Sequence, residues 1–207
     1  MATNPTGESR VPLVQRVKNI LMSPKTEWPV IDSEPATIGG IYKNYVLILA
    51  AIPPVGLLIG LYLLGGGYLS MNFMLAQAVI TYLLSLASVY ILALIIEALA
   101  PSFGGTKDRL KAFKVAAYAS TAYWVVGIFY VLFFLVILGL VGGLYSLYLL
   151  YLGLPVLMKT PADKSVAYTV AVVVAAIVIN ILVGVIASRI LYGMLAGPTM
   201  IPTAYPG

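Results

Sequence analysis

The side chains able to do chemistry in this sequence are few, and the absences narrow the field first. Cysteine and histidine are both missing from the 207 residues. That removes disulfides, thiolate nucleophiles, imidazole bases and the usual zinc or haem ligands. Carboxylates, hydroxyls, amides and lysines remain. Glu97 is the one carboxylate at the edge of a long apolar run. An acid at that depth either binds an ion or proton or is neutralised by a neighbour, here Lys107, Arg109 or Lys111, and near a helix end neutralisation is the expected state. Pro53 and Pro54 deprive the carbonyls of Leu49 and Ala50 of their helical partners. Such a break binds a cation in some transporters and in most helices is a kink healed by packing, the reading expected here. Asn180 shares a helix face with Gly184 and Ser188, and in lipid it is expected to make an interhelical hydrogen bond worth roughly 1 kcal/mol. Tyr145, Tyr148 and Tyr151 line another face, as a polar seam or an aromatic ligand cradle; the seam is expected, because each hydroxyl needs a partner. The glycines of SFGGTKD lack the spacer and the GK[ST] ending of a phosphate loop. No acid pair lies inside an apolar run, so neither catalysis, a metal nor a cofactor is expected.

The elements that must position these residues follow from composition. With 61% hydrophobic and only 9% charged residues, against about a quarter charged in soluble proteins, the chain reads as an all-α integral membrane protein. Its start, MATNPTGESR, is polar, so no removable leader is expected and the first span is internal. Between Lys43 and Glu97 lie 53 uncharged residues, enough for two crossings of roughly 20 residues each. The break falls at LGGGYLSMN, ending one helix near Leu64 and starting the next near Phe73. Val115 to Met158 adds 44 uncharged residues, again two spans, with the turn expected at GLVGG, residues 139–143. Ser165 to Ser188 supplies a fifth crossing of 24 residues.

Charge sets the expected orientation. Of the twelve Lys and Arg, eleven fall before the first span or at the second and fourth connections, and only Arg189 falls on the other side. The positive-inside rule then places the N-terminus inside and the C-terminus outside, with Arg189 as an outer anchor. Lys107, Asp108, Arg109, Lys111 and Lys114 make a basic cytoplasmic elbow between spans two and three. These positions obey a membrane rule, so the net charge of +5 is not read as a nucleic-acid footprint. Residues 1–36 are expected to be a cytosolic segment. Within it VPLVQRVKNILM sets Leu13, Val14, Val17, Ile20 and Leu21 against Gln15, Arg16, Lys18 and Asn19, an amphipathic helix lying along the inner membrane surface. A second short helix follows, with Ser23 as cap and Pro24 in its first position. Residues 37–192 form the membrane domain, and 193–207 are an uncharged tail with little order. Gly56 to Gly60, Ala112 to Ala116 to Ser120, and Gly139 to Gly143 are spacings that let helices approach closely.

Three separated stretches, ILMSPKTEWPVIDSEP, SFGGTKDRLKAFKVAAYASTAYWVVGI and GGLYSLYLLYLGLPVLMKTPADK, resemble the prokaryotic branch of the Ypt-interacting-protein (Yip) family over roughly residues 15–192. The resemblance implies a five-helix membrane domain with a cytosolic N-terminus. In eukaryotic relatives it implies association with Rab-type GTPases and with one another. Two departures matter: Ala122 stands where the family pattern has a proline after Thr121, and the acidic LYGP-type segment before the first span is absent. A Rab partner is therefore not implied. The expected function is a non-catalytic organiser of the prokaryotic plasma membrane, docking protein partners, a second copy or anionic lipid at its cytoplasmic face. The alternative is a carrier or channel for a small solute or cation, routed past Pro53, Pro54, Asn180, Tyr148 and Glu97.

Overall fold

The computed structural model of the chain describes residues 11–64 and 70–196. Five helical stretches are long and apolar enough to cross a membrane: Ile38–Leu64, Met71–Phe103, Arg109–Val131, Phe134–Met158 and Ala162–Gly193. They are preceded by α1 (Leu13–Met22) and α2 (Pro24–Ser33). The five crossings expected from charge-free intervals are present, and no strand occurs among the described residues. The expected loop between spans one and two lies largely outside the described residues, as does most of the tail.

The first span is built in pieces. Thr37 caps α3 (Ile38–Ile41) by accepting from the Gly40 N–H at 3.0 Å. A π turn (Tyr42–Val46) leads into α4 (Leu47–Leu49), and after a break at Ala50 and Ala51 the helix resumes as α5 (Ile52–Leu64). The break lies just before Pro53 and Pro54, which have no N–H to give the preceding turn. Two tyrosines bind this irregular stretch to the next span, α6 (Met71–Leu99). Tyr42 donates to the Leu86 carbonyl at 2.8 Å, and Tyr82 to the Leu47 carbonyl at 2.9 Å.

The third span is the centre of the bundle. Its α7 (Arg109–Ala119) packs between α6 and α9 (Leu138–Met158), with Ala112, Phe113, Val115, Ala116 and Ala117 fully buried. The small residues at four-residue spacing allow that crowding, as expected. After α8 (Thr121–Val126) the span tightens into a 3-10 turn, Gly127–Val131, which lies against α5. A Cβ added at Gly56 would stand 2.5 Å from the Gly127 carbonyl oxygen, and one at Gly60 would stand 2.6 Å from those of Tyr130 and Val131. These glycines therefore serve backbone contact between spans one and three.

Two connections differ from expectation. The turn between spans three and four is not GLVGG: the chain reverses near Leu132 (φ −97°, ψ 89°), and α9 runs unbroken through Gly139, Gly142 and Gly143. Gly142 is there for packing, since a Cβ would meet the Ala122 carbonyl oxygen at 3.0 Å. The elbow between spans two and three ends before most of the basic run Lys107 to Lys114 expected to form it. A 3-10 turn (Ala100–Phe103) ends at Gly104, whose φ of +73° suits glycine, and α7 starts at Arg109 with Asp108 as its cap. Asp108 accepts from the Lys111 N–H at 2.9 Å. Lys111 and Lys114 are thus helical.

The last span, α10 (Ala162–Ala196), packs on α6 and α9. Tyr168 donates to the Ile96 carbonyl and stacks on Phe103 with ring centroids 5.1 Å apart. Leu83, Val79, Leu140, Leu144, Ile181 and Leu182 project outward, the apolar surface through which a membrane protein contacts lipid.

Candidate functional site

The richest polar chemistry lies where α1 and α2 meet the bundle. Arg16 stands three residues after Leu13 and four before Ile20, so it belongs to the stripe of α1 that turns inward. It is only 4% exposed. Its guanidinium donates to Glu27 on α2 and to both carboxylate oxygens of Glu34. The fork geometry of guanidinium suits this divided pairing. Glu34 reaches it because the following Pro35 forces Glu34 into extended backbone (φ −70°, ψ 130°), which ends α2 and turns the chain. Burial alone would lower the Arg16 pKa; the hydrogen bond and charge of Glu34, followed by Tyr118 and Glu27, outweigh it and hold the value above its ordinary one.

The network continues into the bundle. The Arg16 guanidinium lies 5.7 Å from the Tyr118 ring centroid, and Tyr118 packs edge-on against Tyr45 at 4.7 Å. The Tyr45 and Thr121 hydroxyls are 2.6 Å apart. Lys114 on α7 is 3% exposed and donates at 2.6 Å to the carbonyls of both Ile31 and Glu34. It satisfies carbonyls at the α2 end that helical bonding leaves open. Tyr145 on α9 does the same for α1 through the Leu21 carbonyl at 2.6 Å. Trp28 is fully buried against Gly153, where an added Cβ would stand 2.7 Å from its ring.

Two expectations change accordingly. Arg16 is not on a solvated polar face, and Lys114 is not part of an open basic elbow; both are interior cations that fasten the N-terminal helices. The apolar stripe of α1, with Ile20 buried and Leu13, Val17 and Leu21 packed on the core, is covered by the chain's own helices rather than by a lipid surface. Val14 and Met22 stay exposed, at 78% and 76%. Ser23 makes no side-chain cap, although Pro24 does open α2.

A second ion group ties α2 to the bundle. Asp32 takes Lys111 at 2.9 Å and Lys159 at 2.6 Å. Burial would raise its pKa, but the hydrogen bonds of Lys159 and Lys111 and their charges prevail and hold it below the ordinary 3.8. A depressed folded value means the ion pairs stabilise fully above the unfolded value, and that this contribution is lost as pH falls through the folded one. The melting temperature of Asp32→Asn in detergent is therefore expected to lie below wild type at neutral pH, and the gap to close below about pH 4. A gap independent of pH would contradict the pairing.

The remaining sequence candidates take no part in these two ion groups. Glu97 is 7% exposed and accepts from Arg109 Nε at 2.8 Å across the elbow. Of the elbow residues, Lys107 is exposed and Thr106 anchors the loop by donating its N–H to the Met158 carbonyl at 2.7 Å. Pro53 packs on Gly127, where an added Cβ would meet it at 2.6 Å. The space beside Pro54 is about 20 Å³, room for about one water. Tyr148 is 40% exposed and leans on the Tyr145 ring at 5.6 Å. Asn180 does not make an interhelical bond: it is exposed and donates to the Ala176 carbonyl of its own helix at 2.8 Å. Asn180→Leu is accordingly expected to change stability by less than about 0.5 kcal/mol, measured as a detergent melting temperature, whereas a buried interhelical partner would give a clear loss.

Sequence reasoning missed Glu27, Trp28, Asp32 and Glu34. Their signal was an acidic cluster in a segment whose neighbours are basic, which is what a folded-back, charge-paired strap requires. The chain is 28% identical over 166 residues to the inner membrane protein YohC of Escherichia coli strain K12, covering 75% of this chain and 85% of that protein. The YohC protein of Escherichia coli O6:H1 aligns with the same identity and coverage. No solved structure matches the chain. The Yip1 domain matches residues 18–186, from within α1 through most of the fifth span, beginning two residues after Arg16 and taking in Glu27, Asp32, Glu34, Lys111 and Lys159, and on that extent the chain belongs to the Yip1-domain family.

Proposed function

We propose that this Yip1-family protein is a non-catalytic scaffold of the prokaryotic inner membrane that docks protein partners or a second copy on the face built by α1, α2 and the elbow. Residues 37–192 form the membrane domain, residues 1–36 its docking segment, and that face lies in the cytoplasm with the C-terminus outside. The observation that carries the reading is the buried pairing of Arg16 with Glu27 and Glu34. It joins the packing of Ile20, Trp28 and Ile31 in holding the segment as a rigid surface, and a rigid surface binds with less loss of conformational entropy. That surface presents the apolar side chains of Val14 and Met22 on the same stripe of α1 as exposed Lys18, the mixture of anchor and charge that suits a docking patch. The inner-membrane placement is supported by the names of the YohC relatives and by the distribution of Lys and Arg.

Photo-crosslinking residues placed at Val14 and Met22 test it in native membranes. The scaffold reading expects reproducible adducts, with a protein or with a second copy, that fade in Arg16→Met. Absence of any reproducible adduct from both positions overturns it.

A further inference from the structure

The fifth span is the least enclosed: 11% of its most apolar stretch is buried, against 67% in the third. Tyr168, Val172 and Ile179 mark the side of α10 that the bundle covers. Beyond that side, Ala176, Asn180, Gly184 and Ser188 recur at four-residue intervals, which sets them in one row along the helix. Asn180 and Gly184 are exposed. A Cβ added at Gly184 would meet nothing within 4 Å, whereas one at Gly56, Gly60 or Gly142 would strike a neighbouring span. No helix of this chain uses the space that Gly184 leaves.

Small residues alone would leave the row to lipid; the carboxamide does not. By the helical rise, Asn180 stands about 5 Å from the midpoint between Lys164 and Arg189, the charges that bracket the span. It is therefore inside the hydrocarbon layer. One N–H of its carboxamide goes to the Ala176 carbonyl at 2.8 Å, and among the described residues nothing bonds the other N–H or Oδ1. Water is absent at that depth, so unmet amide groups there are costly and draw a polar partner. The partner must bring a donor and an acceptor to the same depth on a lipid-facing helix. A second copy brings both by symmetry: about a two-fold axis along the membrane normal, the N–H of each Asn180 meets the Oδ1 of the other. Ala176, Gly184 and Ser188 let the two helices come close enough for that exchange.

We propose that two copies of this chain pair inside the membrane through the fifth span, Asn180 against Asn180, with Ala176, Gly184 and Ser188 as the rest of the seam. This contact is separate from the cytoplasmic docking face and does not rest on it.

A photo-crosslinking residue at Ile177, which is 53% exposed and one turn from Asn180, reads the contact in native membranes holding the full chain. The expected product is an adduct of twice the chain mass that contains this chain alone. Asn180→Leu and Gly184→Leu are each expected to lower its yield by about fivefold or more, the loss of an interhelical bond of this kind. Asn180→Gln, which restores the carboxamide, is expected to keep most of it. Val174→Leu, at a site of 55% exposure about a third of the way round the helix, is expected to leave it unchanged. In micelles holding one chain each, all four variants are expected to melt close to wild type, which separates loss of pairing from loss of fold. No adduct at Ile177, or a yield that Asn180→Leu leaves unchanged, overturns the proposal. Adducts only with a different protein assign the row to that protein and overturn the pairing as well.

Discussion

Replacing Arg16 with methionine is expected to destabilise the protein by about 3–5 kcal/mol, the cost of removing one partner from a buried ion group. The cause is what remains. Glu27 and Glu34 would face each other across the space Arg16 occupied, and Glu27 is only 5% exposed. The same change combined with Glu27→Gln and Glu34→Gln is expected to recover most of the loss, because no charge is then left buried without a counter-charge. Detergent unfolding of the single and triple variants separates the two effects. A single variant within 0.5 kcal/mol of wild type would mean that the strap is held by packing of Ile20, Trp28 and Ile31 alone.

Gly60→Leu is expected to be the most damaging substitution inside the membrane. The added Cβ would lie 2.6 Å from two carbonyl oxygens of the third span. Backbone cannot step aside as a flexible side chain would, so spans one and three must separate. Overpacking of this kind costs about 1–3 kcal/mol, and more when helices have to move. Gly56→Leu, facing the Gly127 carbonyl oxygen at 2.5 Å, is expected to behave alike. Gly143→Leu, on the same type of spacing but with open space around its Cβ position, is the control and should be close to neutral. Detergent melting temperatures decide it; since leucine favours a helix more than glycine, equal losses at Gly60 and Gly143 would show that added bulk in general, and not the backbone contact, sets the cost.

The five spans were legible because charge is excluded from the hydrocarbon layer and the sequence is free of it over long intervals. The third-to-fourth connection was not legible. Glycine punctuates soluble helices, yet in membrane bundles it allows helices to touch, and Gly139 and Gly142 do so while the reversal uses the apolar run YVLFF. Arg16 was misplaced by treating α1 as a surface helix, when its spacing with Leu13 and Ile20 already put it on the inward stripe. Asn180 reads as an interhelical donor only if its face is covered, and coverage is a tertiary property. The ion network depended on two segments about eighty residues apart, α2 and α7, and sequence periodicity is local.

α2 is part of the folded bundle, packed on α9, and the proposed docking face requires that end of the bundle to be the cytoplasmic one. The chain has no cysteine of its own, so cysteines at Asp32 and Lys159, whose side chains now bond, can be joined by a short membrane-impermeant bismaleimide. Inverted inner-membrane vesicles are expected to give an intramolecular crosslink within a single chain, and right-side-out vesicles none. Crosslinking from the outer side, or free single-site labelling of both cysteines without crosslinking in inverted vesicles, would contradict it.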